Sequence, residues 1–385
     1  MLNYSKLMTL AEASTGFVGG SIVDEFPGMS LSECAGRLPV VCLESQIELT
    51  RAVAEQNEAI VEATINAIQC GNSSEADALV EGALSTVWNH IKTFFEKLKK
   101  FIKSIIDKLT LQINKMRMTG KQLLARYEHS DMIKHEFTDL VVNGYKFKDA
   151  GEVFVGLDSV DPSKLVKAIA KDMDDPATFQ ANAAANADAA ADSPEVTKLS
   201  DSLQNLKDIS AEDRKLACAE QLVKNVSLTA NDWIAEIKNE LYGEKVDMTY
   251  GTDFTLDEIK SILRCEDYDK VKNAYTNLGR AVEANQKTIE SSCKKAREAF
   301  EKTKSEGNSG SKALSIVADY FSTYMSFYQD CSAVVTEIQN IRMKYEDAKV
   351  VQAKNIFAKM LTYKPKKDNA DASDMEGLDE LDVIL

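Results

Sequence analysis

Between residues 84 and 109 the apolar side chains fall alternately four and three positions apart: Leu84, Trp88, Ile91, Phe95, Leu98, Ile102, Ile105 and Leu109. This is heptad spacing, and it commits the segment to a helix with one side covered by something apolar. Val87, Phe94, Phe101 and Ile106 widen the seam on one flank. Leaving its aromatic rings in water would forgo about 1.5–3 kcal/mol each, so the seam must be buried.

The opposite side of the same stretch is basic. Lys92, Lys97, Lys99, Lys100, Lys103, Lys108, Lys115, Arg117 and Lys121 are opposed only by Glu96 and Asp107, inside a chain of net charge −15. A helix over 84–121 therefore asks for an apolar partner and an anionic one: another helix of this protein, a neighbouring subunit, nucleic acid or an anionic membrane. The plainest reading is a core helix whose lysines are solvated or face acidic helices. If the helix meets a partner or a membrane surface, Trp88, Phe94, Phe95, Lys97, Lys99, Lys100, Phe101 and Lys103 are the residues expected to do so. The acidic segment 44–69, with Ile47, Leu49, Val53, Ile60, Ile65 and Ile68, stops at Cys70-Gly71-Asn72 and is the expected internal partner in an antiparallel hairpin.

Six prolines and seventeen glycines in 385 residues are few, and both are sparse in the periodic segments. The expected fold is all-α, built of long amphipathic helices in antiparallel hairpins or bundles. Seven scattered cysteines without a Cys-x-x-Cys fit a reducing compartment and buried free thiols. The first twenty residues do not read as a signal peptide, and no run of about 18 residues is free of charge, so no transmembrane helix is expected. Any membrane action would be interfacial or conditional.

Along the chain, residues 1–43 carry five glycines and two prolines without a sustained period and read as an extended arm. A helical domain follows over 44–173. Within it, 127–154 is aromatic and irregular, with room for a short hairpin or loop, and Asp161-Pro162 opens a short helix that runs to Met173. The Ala, Asn and Asp of 174–192, anchored only by Phe179, read as a linker and a domain boundary.

A second helical domain spans 193–365. Helix starts are expected at Ser193-Pro194-Glu195, at Ser210 with Asp213, and at 231–241 around Trp233; Thr255 and Glu258 form a capping box. Two long helical patterns, 267–304 and 312–361, are joined by Glu306-Gly307-Asn308-Ser309-Gly310 and must lie antiparallel. Tyr320, Phe321, Tyr324, Phe327 and Tyr328 give the second an aromatic band, expected to pack on the other helices. The acidic tail, 366–385, has seven carboxylates and an apolar cluster, Leu381, Val383, Ile384 and Leu385. It reads as a disordered solubility segment, a docking peptide or a removable processing segment.

The sequence carries no Gly-x-Ser-x-Gly, phosphate loop, dinucleotide fingerprint or His-Glu-x-x-His. His129 and His135, six apart, fall on opposite faces of a helix, and three histidines in all are too few for most metal hydrolase sites. No catalytic, cofactor or metal residues are assigned, and a non-enzymatic protein is expected. The net charge and the absence of a recognition module argue against specific nucleic-acid binding.

The glycine-bearing arm, the acidic helix and Trp88-Asn89-His90-Ile91-Lys92-Thr93-Phe94-Phe95-Glu96-Lys97-Leu98 resemble the helical structural and internal-head proteins of large tailed bacteriophages, over about the first third of the chain. The resemblance implies a capsid-associated or internal-head component, found in the virion or the host cytoplasm, whose partners are other protein subunits. It also implies cleavage after Glu in small-x-Glu sites, for which Ser193-Pro194-Glu195 and Ser210-Ala211-Glu212 qualify. The rival expectation is a membrane-active helical protein, interfacial or pore-forming, that uses helix 84–121 on an anionic bilayer.

Overall fold

A computed structural model describes residues 73–128, 137, 139–185, 203–204, 206–305 and 311–363. The arm, the acidic helix 44–69, His129, His135, Ser193-Pro194-Glu195 and the acidic tail with Leu381, Val383, Ile384 and Leu385 lie outside them.

Three long helices carry the fold: α1 (Ser73–Glu128), α8 (Glu266–Ser305) and α9 (Ser311–Thr362). At 1.5 Å per residue α9 is about 80 Å long. Side-chain pairs fix their directions. Arg117 meets Asp269 while Ile102 lies against Gly279, so α1 and α8 run antiparallel. Asp267 meets Lys349 while Asn285 meets Tyr328, so α8 and α9 are antiparallel, as their short connection requires. Phe95 meets Tyr328 while Gln112 meets Asp347, so α9 runs parallel to α1.

α9 is the central helix. Every residue from 327 to 336 is buried, close to three full turns, which happens only when neighbours cover all sides. Along its whole length the neighbours of α9 besides α1 and α8 are the short helices α3 (Pro162–Ile169), α4 (Pro176–Ala185), α5 (Ala211–Glu220), α6 (Trp233–Tyr242), on which α2 (Ala150–Val153) packs, and α7 (Leu256–Leu263). The expected aromatic band packs as anticipated: Tyr320, Phe321, Tyr324, Phe327 and Tyr328 are all buried. Some polar groups inside tie α9 to its neighbours. Arg214 of α5 donates to Asp330 at 2.7 Å and lies over the Phe327 ring, and Gln339 Nε2 donates to the Leu157 carbonyl at 2.9 Å.

Local signals set the short helices. Asp161 accepts from Ser163 N ahead of Pro162, although α3 ends at Ile169 and not at Met173. Ser210 caps α5 through Asp213 N, and Thr255 and Glu258 complete the capping box of α7. Cys218, Cys265, Cys293 and Cys331 are buried free thiols.

Two expectations need correction. The fold is mostly α but not all-α: β1 (Val141–Tyr145) pairs antiparallel with β2 (Lys245–Thr249), Val141 opposite Thr249 and Tyr145 opposite Lys245. The irregular stretch 127–154 thus holds one strand of a ribbon whose other strand lies about a hundred residues on, where no local turn announces it. Val142, Gly144 and Met248 face inward against Phe254, Ile356 and Phe357, in a smaller core at one end of the bundle. Gln352 of α9 accepts from Tyr145 N at 2.8 Å and donates to Tyr145 O at 2.9 Å, occupying part of the free edge of β1. A Cβ on Gly144 would stand 2.7 Å from Gln352 Oε1, so this clamp needs glycine.

The second correction concerns 174–192. Its first half forms α4, packed on α8 and α9. Asp175 accepts from Ala177 N and Thr178 N, and Phe179 stacks on Tyr320 with centroids 3.6 Å apart. A weakly amphipathic Ala-Asn segment becomes helical because one cap and one ring tie it to α9. Buried contacts also cross this boundary, since Phe94, Tyr328 and Cys218 share one core.

The Thr178 backbone N–H is the main reason that the Asp175 carboxyl titrates below its ordinary value. Asp175→Ala should cost about 1 kcal/mol at neutral pH. A lowered folded pKa stabilises above the unfolded value of about 3.9 and loses that contribution as pH falls through the folded one, so the difference should shrink in acid. Urea unfolding at pH 7 and pH 3 checks both parts.

Glycine substitutions separate packing from propensity. A Cβ on Gly120 would lie 2.5 Å from the Leu263 carbonyl oxygen, whereas one on Gly82 meets nothing within 4 Å. Gly120→Ala should destabilise, since forcing α1 from α7 costs about 1–3 kcal/mol and alanine returns at most about 1. Gly82→Ala should raise the thermal midpoint.

Candidate functional site

The residues singled out on α1 divide between two environments. Ile91, Phe94, Phe95, Leu98, Phe101, Ile102, Ile105 and Leu109 are at most 2% exposed. Phe94 and Phe95 pack against Tyr328 with centroids 6.2 and 5.2 Å away, and Trp88 is half-buried against the same core. The expectation that Phe94, Phe95 and Phe101 contact a partner or a bilayer therefore fails in this fold, because α8 and α9 occupy their face.

Lys92, Lys100 and Lys103 are exposed, with Lys97 and Lys99 half-buried. Lys92, Lys99 and Lys103, seven and four apart, share the side away from the core. The row continues through Lys121, while Lys97, Lys108 and Lys115 form a second row. Between the rows, one heptad apart, stand Leu111 and Met118, 71% and 63% exposed. Sequence reading placed the lysines but passed over this apolar pair, whose seven-residue spacing is legible once the core face is known. Among the described residues no carboxylate stands within ion-pair distance of Lys103, Lys115 or Lys121, and Glu96 and Asp107 are the two acids between the rows.

A second candidate is a cleft of about 700 Å³ at the ribbon end, bounded by β1, α7 and facing parts of α8 and α9. Asp267 receives Lys270 at 2.8 Å and Lys349 at 3.0 Å, and Lys349 also meets Glu346 at 3.1 Å. Arg342 Nη1 pairs with Asp158 at 2.8 Å, while its buried Nε finds no acceptor among the described residues. Burial pushes the Glu346 carboxyl above its ordinary range against the pull of Lys349. Burial also opposes the charge on Lys349 and on Asp267, but their partners outweigh it, raising the Lys349 ammonium and lowering the Asp267 carboxyl. Each cation of the network already faces a carboxylate, so the arrangement joins α8 to α9 and offers little free charge to a ligand. Sequence reading missed this cleft; the visible hint was Arg342, Glu346 and Lys349 recurring on one side of an otherwise apolar helix.

Among the described residues no group of three or more His, Cys, Asp or Glu is placed to hold a metal ion, and no helix is long and apolar enough to cross a membrane. Comparison with protein-family models, curated proteins and solved structures gives no match.

The raised Glu346 carboxyl sets a sign. Its favourable contribution is complete below the unfolded value of about 4.3 and is lost as pH rises through the folded value. Glu346→Gln should therefore gain stability relative to the unsubstituted protein as pH rises from 4 to 7, read from paired urea midpoints; a flat or opposite trend contradicts the assignment.

Proposed function

We propose that this chain is a non-enzymatic structural and interaction protein that presents the outer side of α1 to an acidic protein surface. The observation that carries the reading is the division of α1: an apolar seam closed by α8 and α9, and an outer side with two lysine rows around Leu111 and Met118. An apolar pair rimmed by lysines has the make-up of a protein contact, with hydrophobic centre and polar rim. The long three-helix frame holds that surface on a stiff support. The resemblance of the first third to virion proteins of large tailed phages supplies the setting, a capsid-associated or internal-head component.

The membrane-active reading has less behind it. Laying α1 on a bilayer through its apolar side would strip it from Tyr328 and the rest of the α8 and α9 face, leaving that face in water at about 1.5–3 kcal/mol for each large side chain.

Flotation with phosphatidylglycerol and phosphatidylcholine vesicles separates the two. The protein should stay unbound, or bind anionic vesicles only through lysines and release at about 0.5 M salt, where screening is strong. Salt-resistant flotation with Trp88 quenched by brominated acyl chains would overturn the proposal. The virion setting requires peptides of this chain in purified particles of the phage that carries its gene; their absence removes that part alone.

A further inference from the structure

We propose that the lower half of the basic side of α1, Lys103 to Lys121 around Leu111 and Met118, is a docking site for this chain's own acidic segment 368–385. The inference rests on the reading of that side as a contact surface and names one occupant for it.

Register places the two together. Since α9 runs parallel to α1, with Gln112 level with Asp347 and Leu124 packed into the core that holds Phe357 and Met360, Thr362 ends beside the last turns of α1. Met118 and Leu111 then stand about 10 and 20 Å back along α1 from Leu124. The 22 residues beyond Tyr363 span up to about 70 Å, several times what is needed.

Chemistry matches as well. Asp368, Asp371, Asp374, Glu376, Asp379, Glu380 and Asp382 complement a surface whose Lys103, Lys115 and Lys121 have no carboxylate at ion-pair distance among the described residues, and Leu381, Val383, Ile384 and Leu385 supply apolar side chains for Leu111 and Met118. Tethering sets an effective concentration of about millimolar, so even a weak contact of this kind is populated.

Other occupants fit this half less well. Segment 44–69 enters α1 at Ser73; as a helix of 26 residues it would reach about 39 Å back along α1, to about residue 99, short of Leu111. A second copy would set lysine rows against lysine rows. An acidic partner protein would compete with the segment for this surface.

The test is zero-length carbodiimide cross-linking of the full chain, mapped by mass spectrometry in an equal mixture of ¹⁵N-labelled and unlabelled protein. Cross-links from Lys103, Lys108, Lys115 or Lys121 to carboxylates of 368–382, within one chain, are expected. They should fall about tenfold at 0.5 M salt, where screening is strong. Leu111→Asp/Met118→Asp should lower them similarly with an unchanged circular dichroism spectrum, since both side chains point to solvent. Links from these lysines only to 44–69, only between labelled and unlabelled chains, or to no carboxylate of 368–382 would overturn the docking. The vesicle and particle experiments are read independently, so failure here is not failure of the structural role.

Discussion

Phe94 and Phe95 of α1 closing on Tyr328 of α9 is the contact on which the other packing depends. It seats the central helix against α1, and Tyr328 reaches α8 through Asn285, so all three long helices meet at one level. Once α9 is held there, its remaining faces are covered by helices too short to be stable alone, which take their stability from the apolar surface they meet. Tyr320 collects α4 through Phe179, and Asp330 collects α5 through Arg214.

The same contact governs what the chain offers to others. Because the rings of α1 are spent on the bundle, what remains outside is charge, with Leu111 and Met118 among it. A surface of this kind recognises by complementarity of charge and a small apolar centre, and its affinity falls with salt. The charged cleft at the ribbon end has the opposite character. Its cations and carboxylates are already matched to one another across α8 and α9, and it serves as a joint between them.

Much of the helical content was legible in sequence. The seam of 84–109 and the caps at Asp161, Ser210 and Thr255 are signals carried within a few residues, and the helices stand where those signals put them. The β1–β2 ribbon was not legible, because neither strand of five residues says which segment it pairs with. The α4 helix was misread for a related reason: Ala and Asn alone do not hold a helix, and the ring that anchors it lies some 140 residues away. The cleft escaped because its charges come from the segment after β1 and from α7, α8 and α9, and meet only on folding.

Sequence alone determined that the chain builds long helices, where several begin, and that one of them is apolar on one side and basic on the other. Those properties follow from periodicity and capping, in which each residue acts on neighbours within a turn or two. Tertiary structure decided which helix lies at the centre, that the rings of α1 face inward, and that Leu111 and Met118 stay outside. These depend on contacts between residues a hundred or more positions apart, whose pairing is chosen by the shape and burial of the whole bundle.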